Sequence, residues 1–524
     1  MAALAALPLV AILVASFGGE SEAIGHLASS ILPRYILNTT ALMLSAGVIA
    51  LLIGVSTAWL VAATDFPGRR VLAWALVLPL AVPAYLGAYI YADLLDFSGP
   101  VQSTLRSLTG WQVNEYWFPP IRSLPGAALI LALVLYPYVY LLARAAFSAQ
   151  SLGQFRAART LGASPAHAFW RVALPGARPA IAGGLALVLM EVLADFGVAE
   201  YFAIPTFSTG IFRSWLAMGD KQAALQLSAV MLVFVVALVA FESAQRKGRT
   251  ASKDATGTGE PLVGLSASGK ALAFLACLFP VLLGFSIPAL HLLMMAFESG
   301  DQIGFATLWD YAGDSLWLGV VTAIVCVLAA LILAFAQRRS DNRWSQFALR
   351  FATLGYALPG ALLAVGLLAP LGALDQSLAR VMQDSFGINS GLILTGTSVI
   401  LIYALSVRFL TVAFNSANGG MAKIPPSLDA AARSLGAKPG RVMWRIHAPL
   451  LSPSLAAAAA LVFIDTIREL PATLILRPFN LETLATRVYR LASDERLAEA
   501  STAALLILAL GLIPVLLLNR TNSR

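Results

Sequence analysis

Four carboxylates stand inside stretches that are otherwise apolar: Glu191, Asp195, Asp465 and Glu469. Burying a charge at membrane depth is costly enough that such a group is a functional candidate by default. Glu191 and Asp195 are four residues apart, as are Asp465 and Glu469, so each pair is expected to share one face of a helix. A constant offset of 274 residues carries Glu191 onto Asp465 and Asp195 onto Glu469. Two such helices packed about a pseudo-two-fold axis would line one polar route, as its wall or its gate. The structural alternative is that Arg468, next to Glu469, neutralises one or more of the four.

Other chemistries lack their residues. The two cysteines, Cys277 and Cys326, lie in apolar runs and the four histidines are scattered, so no metal site is assigned. Gly264-Leu-Ser-Ala-Ser-Gly269-Lys270 approaches a phosphate-binding loop, but Ala271 replaces the Ser or Thr that would hold magnesium. The segment also leads into an apolar run and not a strand-loop-helix unit, so a flexible linker is expected. No catalytic residue and no bound cofactor are expected in this chain.

The elements that position the carboxylates must be membrane helices. Of 524 residues 59% are hydrophobic and 12% charged, with a mean hydropathy of +0.80, more than a soluble domain can hide. A net charge of +8 sits in short Lys/Arg clusters between apolar runs, which fits orientation in a bilayer and not nucleic-acid binding. Runs of spanning length fall at 1–18, 36–64, 71–94, 126–148, 181–203, 222–242, 271–297, 315–337, 347–373, 391–414, 454–476 and 498–518. The first has no basic residue ahead of it and is read as a short span, not a cleavable signal peptide. The fold class expected is an all-α polytopic membrane protein of about 12 transmembrane helices. Basic loops such as Arg69–Arg70 and Arg156–Arg178 place both termini in the cytoplasm by the positive-inside rule. A polar linker, 243–269, separates two six-helix halves, 1–242 and 270–524.

The same offset of 274 relates a longer motif. Ala157-Ala158-Arg-Thr-Leu-Gly162, with Phe169, Trp170 and Pro175 following, aligns without a gap on Ala431-Ala432-Arg-Ser-Leu-Gly436, with Met443, Trp444 and Pro449 following. Each copy sits in a loop, about 149–180 and 415–453, between the fourth and fifth spans of its half. A short helix ended by a left-handed Gly, then Ser164-Pro165 opening a second helix that stops before Pro175, predicts a rigid helix-turn-helix with Phe169 and Trp170 on its apolar side. Prolines inside the third and ninth spans, Pro79 and Pro83 against Pro359 and Pro370, are expected to kink them.

This spacing of Ala-Ala, Gly and Pro resembles the EAA loop of binding-protein-dependent ABC importer permeases, and the whole chain shares the type I importer permease pattern of that family. The resemblance implies that the two loops dock on a cytoplasmic ABC ATPase dimer through Ala157, Ala158, Gly162, Phe169, Pro175, Ala431, Ala432, Gly436, Met443 and Pro449. ATP and magnesium would be used by that partner. The family's Glu is replaced by Arg156 and by Ala430, with Asp429 beside the latter. Asp195–Trp215, Arg468–Arg487 and Asp65–Arg70 resemble the ferric-iron branch, which fuses both halves in one chain. That branch implies a periplasmic iron-binding protein as partner, a bacterial inner-membrane location and ferric iron as cargo, whose hard charge suits carboxylate oxygens. Gating or structure is favoured over direct ligation, because tight coordination would hinder release. Tyr201, Arg213 and Arg487 are expected on the external side, contacting a binding protein or capping helices. Related fused permeases carry thiamine, polyamines or phosphonates. An ion-coupled secondary transporter, or a membrane enzyme using the carboxylates for acid-base work, are the remaining classes.

Overall fold

The computed structural model describes residues 2–16, 31–112, 115–149, 151–246, 263–299, 305–339, 342, 348–349, 355–389 and 391–522. Eight helices are long and apolar enough to cross a membrane, from Leu32–Ala63 to Ser398–Met421. Two bent pairs are long and apolar enough only when taken together, Arg69–Ala81 with Ala84–Thr109 at 91° and Pro439–Leu450 with Ser452–Arg468 at 76°. Two shorter apolar helices, Ala6–Ser16 and Leu497–Ile513, occupy the first and twelfth positions. Each of the twelve expected segments therefore contains a helix.

Proline decides where these helices deviate. Its ring clashes with the carbonyl four residues back and it donates no N–H. The third span breaks at Pro83 after a 3-10 turn, Leu78–Ala81, and the ninth breaks at Pro359 after the matching turn Gly355–Ala357. The ninth helix thus runs Gly360–Phe386, later than expected, and passes through Pro370 without a break. Elsewhere a π turn widens the helix just ahead of the proline and accommodates it. Phe169–Ala173 precedes Pro175, Leu282–Ser286 precedes Pro288 and Met443–His447 precedes Pro449. The second loop helix therefore does not stop before Pro175, as the sequence predicted: Pro165–Ala194 is continuous. Its counterpart bends at Leu451, between Pro449 and Pro453.

Glycines set the close packing. A Cβ on Gly54 would meet Val139 Cβ at 2.7 Å, and one on Gly184 would meet Val139 Cα at 2.7 Å, so the second and fifth spans both press onto the fourth. The halves are also interlocked. A Cβ on Gly366 would strike Ile12 at 2.8 Å, placing the first helix against the ninth span, and one on Gly284 would strike Leu133 O at 2.8 Å, placing the seventh against the fourth. The middle of the linker, 247–262, lies outside the described residues. Its end is ordered by sequence: Val263 N–H donates to Ala63 O at 3.0 Å, and the Ser266 hydroxyl accepts from Gly269 N–H at 3.2 Å to cap the helix that starts at Ala267. The loop-like Gly264–Ala271 segment is thus a helix N-terminus and not a flexible linker.

Gly54→Val and Gly184→Val should each lower stability by about 1–3 kcal/mol through overpacking. Gly313→Ala, where a Cβ meets nothing within 4 Å, should leave it unchanged or raised. Thermal unfolding of the three variants in detergent checks this; equal melting for all would contradict the packing.

Candidate functional site

Each fifth span ends at a carboxylate. The helix Leu174–Ala194 gives way at Asp195 (φ −64°, ψ 129°), and Ser452–Arg468 gives way at Glu469 (φ −68°, ψ 122°). The expectation that Glu191 and Asp195, or Asp465 and Glu469, share one helical face is therefore corrected. The second member of each pair lies on extended backbone one residue past the helix. The local cause is legible: Pro471 cannot continue a helix, and its counterpart Gly197 is needed because a Cβ there would meet Tyr85 Cβ at 2.3 Å. The chain then turns into a short helix, Gly197–Tyr201 or Pro471–Leu476.

The displaced carboxylates cap those short helices. Asp195 Oδ2 accepts from Ala199 N–H at 3.1 Å. Glu469 Oε1 accepts from Ala472 N–H at 3.0 Å, and Oε2 accepts from Thr473 N–H at 3.0 Å and from the Thr473 hydroxyl at 3.0 Å. A negative group at a helix N-terminus satisfies orphan N–H donors and complements the dipole. Arg408 on the tenth span, not Arg468, is the ion-pair partner: its Nη1 donates to Glu469 Oε1 at 3.0 Å. Arg468 instead donates to the Leu80 carbonyl, tying the second half to the broken third span of the first. Gly360 makes room for the pair, since a Cβ would lie 2.3 Å from Glu469 Oε1 and 2.6 Å from Arg408 Nη1.

The four carboxylates do converge. Glu191, Asp195, Asp465 and Glu469 all line one cavity of about 160 Å³ between the halves, together with Arg408, Arg468, Tyr85, Tyr138 and Tyr356. Tyr138 and Tyr356, one from each half, border this cavity together. Four carboxylates against two guanidiniums leave the lining formally negative by two. Among the described residues no three His, Cys, Asp or Glu side chains stand close enough to hold a metal ion. The arrangement is a charged cavity and not a preformed chelate.

The two loops fold as one motif. Gly162 (φ +89°) and Gly436 (φ +74°) are left-handed, and the N–H of the next residue, Ala163 or Ala437, bonds back to Ala158 O at 3.1 Å or Ala432 O at 3.0 Å. Ser164 caps the following helix through His167 N–H at 3.2 Å. Ala157, Ala431, Pro175 and Pro449 are exposed, Ala158 and Met443 are half-buried and Ala432 is buried. Phe169 is packed inward against Trp59 at 4.8 Å between ring centroids, whereas Trp170 points to solvent, so the two do not share an apolar side.

Among the residues expected on the external side, Arg213 reaches Glu200 at 3.3 Å and Tyr201 lies under Arg122 at 4.8 Å. Arg487 is buried against the Tyr311 ring at 5.3 Å, which removes it from any external docking surface. The partner of Arg213 in the second half is Arg490, which holds Glu482 at 3.0 Å, because three extra residues precede the capping box Thr483–Thr486 that matches Thr206–Thr209.

A sequence model of the binding-protein-dependent transport system inner membrane component family matches residues 64–246 and again 326–524. The chain belongs to that family. It is 25% identical over 488 residues to an Fe(3+)-transport system permease protein, FbpB 2, of Haemophilus influenzae, covering 92% of this chain and 89% of that protein. It is 22% identical to a ferric transport system permease protein, FbpB, of Actinobacillus pleuropneumoniae, over 90% of this chain and 69% of that protein. A single half, 47% of this chain, is 26% identical to 86% of the sulfate transport system permease protein CysW of Escherichia coli. This inner membrane component is accordingly a transporter subunit, multi-pass and all-α among its described residues.

Sequence reasoning missed Arg408, Tyr85, Tyr138 and Tyr356. An arginine inside an apolar span is itself a signal; single tyrosines in apolar helices carry none. It also missed that the permease holds its two loops by different chemistry. In the first half Trp59, Phe147, Phe155 and Phe169 form an aromatic cluster, with Trp59 at 5.3 Å from both Phe147 and Phe155. At the place of Phe155 the second half has Asp429, which accepts from Arg338 Nε at 2.5 Å and bonds His447 Nε2 at 2.6 Å. Burial pushes the Asp429 carboxyl up, but the bonds from Arg338 and His447 outweigh it and hold it below the usual carboxylate range. A lowered pKa gives stability that is present above the unfolded value and lost as pH falls through the folded one. The second loop should therefore be unaffected by Asp429 between pH 6 and 8 and loosen only in acid, while the first is indifferent. Asp429→Asn should weaken the second loop's attachment by about 2 kcal/mol. Amide hydrogen exchange over 426–450, compared with 151–175, reads both effects; equal acid response in the two loops would refute the asymmetry.

Proposed function

We propose that this chain is the membrane permease of an ABC importer that carries ferric iron from the periplasm to the cytoplasm of a bacterium. A separate cytoplasmic ATPase dimer hydrolyses ATP with magnesium, this chain having no ATPase site of its own, and a periplasmic iron-binding protein delivers the cargo. Both termini face the cytoplasm in this reading, as the basic loops favour. The observation that carries the cargo assignment is the formally negative cavity shared by the halves. A route for sulfate or a phosphonate would have to place an anion among four carboxylates, whereas a trivalent cation is favoured there by Coulomb attraction. The ferric relatives covering nine-tenths of the chain support the same choice.

The docking assignment rests on matched apolar exposure on the loops. Leu161 and Leu435 are 88% and 86% exposed, and Trp170 and Trp444 are 66% and 52% exposed, at corresponding positions of the two copies. Paired patches of this kind, next to an Ala-Ala-Gly turn, fit two grooves of a dimeric partner. Drawing the loops together would rock the halves about the cavity between them.

Uptake of radioactive ferric iron and of sulfate into vesicles holding permease, ATPase and binding protein tests the reading. ATP-dependent iron uptake without sulfate uptake is expected; sulfate or another solute in place of iron would overturn it. Gly162→Val and Gly436→Val should abolish uptake and ATPase stimulation without unfolding, because a Cβ there meets nothing within 4 Å and only the left-handed backbone is disfavoured. Normal uptake by both variants would remove the loops from coupling.

A further inference from the structure

The four cavity carboxylates are chemically unlike. Glu469 spends both oxygens on the Ala472 and Thr473 amides, the Thr473 hydroxyl and Arg408, and Asp195 spends Oδ2 on Ala199 N–H. Glu191 and Asp465, one turn earlier on each fifth span, take part in no hydrogen bond or ion pair among the described residues. Both line the cavity, from opposite halves, and each lies within electrostatic reach of the other, of Arg468 and of Tyr138 and Tyr356.

A second observation is independent of the carboxylates. Tyr85 lines the same cavity and is 6% exposed, yet its hydroxyl has no hydrogen-bond partner. A buried hydroxyl in a membrane protein is costly to leave unmatched. Here an unmatched donor and acceptor faces a space bordered by two carboxylates that accept no hydrogen bond among the described residues. All of these groups are oxygen donors, the class that suits hard, highly charged cations. With only two carboxylates, the set is too small to trap such an ion, which is what passage requires.

We propose that Glu191 and Asp465, together with Tyr85, form a transient way-station that contacts the trivalent cargo as it crosses, while Asp195 and Glu469 are positioning residues that hold the walls. The assignment rests on the ferric-permease reading and divides labour within its cavity. Asp195 and Glu469 keep the fifth spans broken and the short helices aligned; Glu191 and Asp465 replace part of the hydration shell of the ion. Arg408 pairs with Glu469 and Arg468 donates to the Leu80 carbonyl, so the hydrogen bonds of both guanidiniums go elsewhere, while the Arg468 charge stays within electrostatic reach of Asp465 and Glu191.

The test uses the permease with its ATPase in nanodiscs and in vesicles, with ferric nitrilotriacetate as the probe for binding and the iron-loaded binding protein as donor for uptake. Glu191→Gln and Asp465→Asn should each lower iron retained per complex and ATP-driven uptake at least tenfold, with the melting temperature and binding-protein-stimulated ATP hydrolysis of the wild type. Tyr85→Phe should lower iron retention by a smaller factor with no loss of stability. Asp195→Asn and Glu469→Gln should instead lower the melting temperature, with uptake falling in proportion to folded protein. Wild-type iron uptake and retention in Glu191→Gln and Asp465→Asn would overturn the way-station while leaving the ferric reading intact. The same holds if those two variants lose uptake only in step with unfolding, as structural groups would. A wild-type permease that moves no iron but moves another solute would overturn the ferric reading itself, and the way-station with it.

Discussion

The capped break at the end of each fifth span is the constraint on which the rest depends. Hydrocarbon supplies no partner for an open amide, so a helix interrupted within a bilayer must satisfy its own broken ends. Asp195 and Glu469 do this for the short helices that follow, each accepting backbone N–H bonds across three or four residues. The break in turn brings both halves to one polar space.

Proline governs the remaining shape by two different responses. Where two prolines or a proline and a tight glycine coincide, as around Pro83 and Pro359, the helix breaks and the chain borders the cavity. Where a π turn precedes the proline, as at Pro175, the helix can survive even with Pro179 following, whereas the matching Pro449 and Pro453 of the second half flank a bend. The fifth span of the first half therefore runs unbroken from the loop, starting at Pro165, to the edge of the cavity at Ala194. The second half has a bend at Leu451 in the same path, so the two loops are mechanically as well as chemically unequal.

Repetition of a fold does not require repetition of its contacts. Phe155 and Asp429 occupy corresponding positions and fasten corresponding loops, one by stacking aromatic rings and the other by a carboxylate shared between Arg338 and His447. A member of one cluster placed in the other would be unmatched: Asp among the three rings of Trp59, Phe147 and Phe169, or Phe between a guanidinium and an imidazole.

The sequence alone determined the class, the two halves, the repeated loop and the identity of the four carboxylates. These follow from local or periodic quantities: apolar run length, Gly and Pro at fixed offsets, and charge inside apolar segments. It also located the left-handed turns at Gly162 and Gly436, because backbone conformation there is set by a single residue type. Tertiary structure decided everything that depends on distant residues meeting. Arg408 is 61 residues from Glu469 in the chain, so adjacency favoured Arg468, and only packing showed Arg468 turned to Leu80, 388 residues away. The cavity, its tyrosines and the crossing of each half's first helix onto the other half were equally hidden. A pattern along one chain records which face of a helix is apolar, but the partner that fills it is selected by three-dimensional fit among all helices at once.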